Sequence, residues 1–218
     1  MLLGVGLVAL VVALVSIAVG EGGPKSAAVG GVNEVQALFG GIEQEDAYLG
    51  PDDAETTVTV FNDIQCVPCA DFEIDVVDPL VERYARTDRA RLEFRHFSLA
   101  PYDTTLAAIA AEAAGDQERQ WQYLDTFVRN QDIAEGDVSV EELREVAEAV
   151  PELDTDQWQE DYDSPEAEQL VRDDAMLAAD LKLPAEPAIV VSGPGGQRNL
   201  IETPTLDEVE AAIDEVSG

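Results

Sequence analysis

Residues 1–20, MLLGVGLVALVVALVSIAVG, are apolar on every helical face and carry no charged side chain. At about 1.5 Å per residue such a run spans roughly 30 Å, the thickness of a bilayer's hydrocarbon core. It predicts an N-terminal transmembrane anchor. A cleaved signal peptide is the alternative, although it calls for a basic leading region and a shorter apolar run. The pattern then lapses: residues 20–33, GEGGPKSAAVGGVN, have the glycine content of a flexible tether, and 21–42 reads as a linker. A folded domain is expected over 43–218.

Within that domain the period changes along the chain. Glu55 to Asn62, ETTVTVFN, alternates β-branched and aromatic residues as a strand does. From Val67 to about Arg86, Phe72, Val76, Leu80 and Tyr84 recur every four positions with Val77 and Val81 beside them, which predicts a helix. Pro79 should kink it, because proline cannot donate to the Asp75 carbonyl. Arg91 to Leu99 reads as a second strand. Helical patterns follow at Thr104 to Ala114, at Gln117 to Asn130 and from the Ser139/Glu142 capping box to Pro151. A further one runs from Ser164 and Pro165 to Leu181, giving a helical insertion over about 104–183. Ala188 to Ser192 and Gln197 to Ile201 then read as a hairpin about the glycine-rich turn at 193–196. The Thr205/Glu208 capping box opens a last helix with Leu206, Val209, Ile213 and Val216 on one face. The alternation implies an α/β fold with an inserted helical bundle.

Charge narrows the class of partner. Forty-six acids against twelve bases give a net charge of −34, which repels phosphate backbones and argues against nucleic acid as a partner. The acids are spread along the chain, the composition of a halophilic protein, whose self-repulsion is tolerable where the Debye length is about 3 Å, at 1 M salt.

Both cysteines fall in one motif, Cys66-Val67-Pro68-Cys69, between a strand and a helix. A zinc site is short of ligands, since His96 is the only histidine. A structural disulfide over so short a loop restrains little chain entropy. Two inert thiols and a reversible dithiol/disulfide remain, and placement favours the latter. A cysteine at a helix N-terminus faces unpaired N–H groups and the positive end of the dipole, which stabilise thiolate. Cys66 is therefore the expected nucleophile, and Cys69, one turn deeper, the expected resolving thiol.

The stretch Phe61-Asn62-Asp63-Ile64-Gln65-Cys66-Val67-Pro68-Cys69 resembles the FSDFQCPYC-type active site of the DsbA-like thioredoxin-domain proteins. Leu49-Gly50-Pro51-Asp52-Asp53-Ala54 is similar to the lead-in to their first strand, and the Ala-rich helix at Leu106 to Ala114 with the Trp121 helix is similar to the start of their helical insertion. The resemblance implies a thioredoxin fold interrupted by helices and thiol-disulfide exchange on other proteins. It also implies a cis-proline loop packed against the cysteines. Pro187 is the better candidate for it and Pro184 the runner-up. Glu186 stands where the family carries Thr or Val, so a carboxylate is expected beside the thiolate. The strand ahead of the motif, Val58 to Phe61, lacks the buried acid of some relatives, and Val67-Pro68 supplies no histidine, which leaves oxidase, reductase and isomerase directions open.

Asp63 has two readings, a proton relay to the resolving thiol or a residue that forms the turn at the strand end. His96 reads as a hydrogen-bonded strand-end residue ahead of a proton donor or metal ligand. Trp121, Trp158 and Phe127 read as core. The functional expectation is a membrane-anchored thiol-disulfide oxidoreductase with its domain on the extracytoplasmic side, or a secreted one if the N-terminal segment is cleaved. Its partners would be exported proteins with thiols or disulfides and a membrane redox partner. No metal and no cofactor beyond the redox-active disulfide are expected. The competing class is a membrane-tethered binding module with the same fold and an idle dithiol.

Overall fold

The computed structural model describes residues 29–100, 104–131, 138–200 and 203–218. The anchor or signal read over 1–20 and the first part of the linker lie outside the described residues, as does Ile201. No helix among the described residues is long and apolar enough to cross a membrane.

A mixed sheet organises the molecule. Its strands are β1 (Gln44–Glu45), β2 (Tyr48–Leu49), β3 (Thr57–Asn62), β4 (Arg91–His96), β5 (Ala188–Gly193) and β6 (Gly196–Leu200), in the spatial order β1-β2-β4-β3-β5-β6. β3 and β4 run parallel, joined by the helix that follows the cysteine motif, and the other pairs are antiparallel. Alternation divides the faces of the sheet. Val58, Val60, Leu92, Phe94, Ile189 and Val191 point into the main core. Phe61, Ala188 and Val190 point the other way, into a smaller cluster with Phe97, Ala178 and Leu183. Gly50 follows β2 with φ +104°, and a Cβ there would meet the Ala90 carbonyl and Arg91 Cα at 3.2 and 3.3 Å, so glycine is required.

The chain after the motif begins as α2 (Val67–Phe72) and passes through wider i→i+5 turns at Glu73–Val77. It continues as α3 (Asp78–Leu80) and ends in a second wide stretch at Val81–Ala85. This accommodates the proline expected to kink it. Asp78 donates to the Glu73 carbonyl, an i→i+5 bond, and the run stays in the right-handed helical region across Pro79. Wide turns of this kind re-register the ladder around a missing N–H.

The stretch read as linker is ordered in its second half. Residues 32–39 form α1 (Val32–Phe39), with Val35, Leu38 and Phe39 buried. Val35, Leu38 and Phe39 follow helical spacing, but the flanking glycine pairs obscure so short a helix in the sequence. Arg86 secures its end by donating to the Ala37, Leu38 and Gly40 carbonyls, which have no partner within the helix.

The insertion consists of α4 (Thr105–Gly115), α5 (Gln120–Val128), α6 (Val140–Ala149), α7 (Thr155–Tyr162) and α8 (Pro165–Asp180). α4 lies at its centre, and its buried Ala107, Ala108, Ala110, Ala111, Ala113 and Ala114 let neighbouring helices approach closely. Trp158 on α7 stacks on Tyr123 and Tyr162 and donates to the Ala110 carbonyl at 2.9 Å. Trp121 on α5 packs edge-on to Phe94 and donates to the Ala47 carbonyl, tying the insertion to the sheet. Both capping boxes read from sequence are formed, at α6 and at the last helix, α9 (Leu206–Val216).

Candidate active site

β3 delivers the chain to the motif, and the turn between them is held by Asp63. One carboxylate oxygen accepts the Gln65 N–H at 2.9 Å, the other accepts the Ser98 hydroxyl at 2.6 Å, and the Asp63 carbonyl accepts the Cys66 N–H. Both oxygens are thus committed to the turn and to the loop after β4. Of the two readings of Asp63, the turn-forming one matches these contacts.

Cys66 is the N-cap of α2 in extended conformation, half-exposed, and Cys69 is 1% exposed. The two form a disulfide with Cα atoms 5.1 Å apart. Val67, 54% exposed, and exposed Pro68 form the outer rim of the ring. From the other side Gln131, just past α5, donates to the Ile64 carbonyl at 2.6 Å and the Cys66 carbonyl at 3.5 Å.

The peptide bond between Glu186 and Pro187 is cis. Phe61 pairs with Ala188 in the sheet, so Pro187 comes level with Asn62 at the end of β3, beside the motif. The Glu186 carboxylate accepts the Leu99 N–H at 2.7 Å. Burial raises its pKa, the Leu99 N–H opposes that rise, and Asp63 adds to it. The carboxylate expected beside the thiolate is therefore hydrogen-bonded to the loop after β4, and Glu186 and Asp63 together tie that loop to the motif.

Glu73, one turn beyond Cys69 on the buried face of the same helix, was not anticipated. Asn62 donates to its carboxyl at 2.5 Å. Burial raises its pKa to about 8, partly opposed by the Asn62 bond and reinforced by Asp125 and Asp78. Asp78 is itself pushed up to about 7 by burial and by Asp125, against the pull of Arg129, which bonds both Asp78 and Asp125. A signal was present in the sequence: position 73 continues the stripe through Cys69, Val77 and Leu80. His96 ends β4 with Nε2 3.5 Å from the Thr104 hydroxyl, and its backbone N–H donates to the Asp174 carboxylate. No cluster of metal-ligand type occurs among the described residues.

A family model described as Thioredoxin matches residues 43–215. The chain is 32% identical over 170 residues to the probable disulfide bond formation protein D of Bacillus anthracis, covering 76% of each. Its counterpart from Bacillus cereus is 31% identical over the same length. Among solved structures, oxidised BdbD from Bacillus subtilis superposes with a TM-score of 0.69 at 22% identity, over 81% of this chain and 98% of that one. Chlamydia trachomatis DsbA does so with a TM-score of 0.65 at 21% identity, over 78% and 90%.

Proposed function

The chain belongs to the DsbA-like proteins of the thioredoxin family and is a thiol-disulfide oxidoreductase, and from that premise we propose that it oxidises dithiols of exported proteins at the outer face of a membrane. The observation that carries this reading is the asymmetry of the disulfide, with Cys66 half-exposed at a helix N-terminus and Cys69 buried behind it.

A substrate thiolate arriving from solvent meets Sγ of Cys66 first. It forms a mixed disulfide there, the Cys66–Cys69 bond breaks, and Cys69 leaves as thiolate. We assign the proton that Cys69 then takes to Glu73, four residues further along the same helix, whose pKa burial raises to about 8. A second substrate thiolate then attacks the substrate sulfur of the mixed disulfide. The substrate disulfide forms, Cys66 leaves as a thiolate stabilised by the helix N-terminus, and the electron pair rests on the cysteines. Pro187, Glu186, Val67 and Pro68 border the substrate. The names of the relatives, disulfide bond formation proteins, support the oxidising direction.

The sulfurs carry the electrons, so the step needs no cofactor. Turnover needs an acceptor that reoxidises the pair, and a membrane redox partner suits an anchor at 1–20. The acid-rich composition suits work in molar salt. Trapping tests the assignment: Cys69→Ala should accumulate mixed disulfides through Cys66 on non-reducing gels, and Cys66→Ala should accumulate few. Equal trapping by both refutes the roles given.

A further inference from the structure

The thiolate that Cys66 becomes meets a helix start that is short of free donors. Of the first three residues of α2, Pro68 has no N–H, and the Cys69 N–H is given to the Cys66 carbonyl at 2.9 Å. The N–H of Cys66 itself goes to the Asp63 carbonyl. A helix N-terminus holds a thiolate through the N–H groups it leaves unpaired, and here two of them are already bonded to carbonyls and a third is missing.

Gln131 acts on this shortage from the other side of the site. Its Nε2 donates to the Ile64 carbonyl at 2.6 Å and reaches the Cys66 carbonyl at 3.5 Å. Two carbonyl acceptors fix which end of the amide faces the motif, since the flipped group would set oxygen against oxygen. The cost falls on the other end, where Oε1 is buried and has no partner among the described residues. A buried acceptor left unpaired destabilises the fold, so what this side chain contributes lies at its donors.

The residues before Gln131 fix its place. Arg129 bonds Asp78 on the active-site helix, and Asn130 donates to the Thr126 carbonyl at 2.6 Å and pairs with both backbone groups of Gly30. The end of α5 is thereby held against the helix that carries the cysteines.

We propose that Gln131 is a positioning residue for the exchange reaction: its amide takes up the Cys66 carbonyl and so releases the Cys69 N–H toward the Cys66 sulfur when that sulfur becomes a thiolate. A carbonyl with a second donor gives up the first at lower cost, and the amide N–H groups offset the carbonyl oxygens beside the anion. Gln131 therefore favours the reduced pair and makes the disulfide a stronger oxidant. The proposal rests on the role given to Cys66 above.

Thiolate absorbance titrations in molar salt test it, in Cys69→Ala chains that carry Gln131, Gln131→Leu or Gln131→Glu. Leucine keeps most of the bulk and drops the donors, whereas glutamate keeps the shape and turns an oxygen to the two carbonyls. The Cys66 pKa should rise in the order Gln, Leu, Glu. The acids around the motif, Asp63, Glu73 and Glu186, are common to all three chains. In chains with both cysteines, Gln131→Leu should move the equilibrium with glutathione three- to tenfold toward the protein disulfide, about 15 to 30 mV. That difference should fade as the pH falls below the Cys66 pKa, where both chains hold a thiol. A lowered melting temperature with the Cys66 pKa and the glutathione equilibrium unmoved would make Gln131 merely structural and overturn the proposal. A Cys66 pKa no lower than that of Cys69, read in the Cys66→Ala chain, overturns the role of Cys66 and the positioning role with it.

Discussion

Replacing Glu73 with Gln should change how stability depends on pH more than it changes stability itself. The folded carboxyl has a pKa of about 8 against a model value of 4.5, chiefly through burial. Between those values the folded state holds a proton that the unfolded chain has released. Stability is therefore full below the unfolded pKa, falls as pH rises toward the folded pKa, and levels off above it. At about 1.4 kcal/mol per pH unit the ceiling is roughly 5 kcal/mol, and relaxation around an ionised carboxylate should leave about half of that. The amide keeps the shape and an acceptor for Asn62, and it has no charge to desolvate. Denaturant unfolding of wild type and Glu73→Gln at pH 5, 7 and 9 in molar salt measures the difference. The variants should agree within about 1 kcal/mol at pH 5, and the variant should be more stable by roughly 2–4 kcal/mol at pH 9. Burial and Asp125 push the Asp78 pKa up to about 7, within the same range, so the comparison rests on the difference between the curves. Parallel curves from pH 5 to 9 would refute the assignment of a buried protonated carboxyl beneath the disulfide.

Arg129→Ala leaves Asp78 and Asp125 without their shared cation and should cost about 3–5 kcal/mol at pH 8. The cost should be clearly smaller at pH 5, where Asp78 is protonated, as denaturation at the two pH values would show. Glu186→Gln retains an acceptor for the Leu99 N–H and should stay within about 1 kcal/mol of wild type, whereas Glu186→Thr should lose about 1–2 kcal/mol. Equal losses would mean that charge and not the hydrogen bond holds the loop. The domain with its net charge of −34 should lose its cooperative melt on desalting below a few hundred millimolar, where the Debye length exceeds about 5 Å. A melting temperature unchanged by desalting would show that the acids are merely tolerated.

The motif and its surroundings were legible because they depend on near neighbours. β3 and β4 follow from alternation, the last helix from its capping box and apolar stripe, and the place of Cys66 at a helix start from the change of period at Val67. Pro187 stood out because it directly precedes a strand. Features that depend on distant contacts were not legible. α1 is stable because Phe39 packs against Trp121 and Arg86 takes its terminal carbonyls, partners found 82 and 47 residues later in the chain. β1 and β2 are two residues each, too short to show a period, and exist because Trp121 and β4 hold them. Glu73 lay on the buried stripe, but that its carboxyl is held by Asn62 and pressed by Asp125 and Asp78 required the packing of β3 and α5 on its helix. Glu186 was expected beside the thiolate, and that its carboxylate takes the Leu99 N–H depended on the loop after β4 folding against it. Periodicity, caps and motif spacing are short-range properties that a sequence carries by itself. The protonation of a buried acid and the partner of a loop carboxylate depend on which surfaces exclude water from one another, and only the assembled tertiary structure decides that.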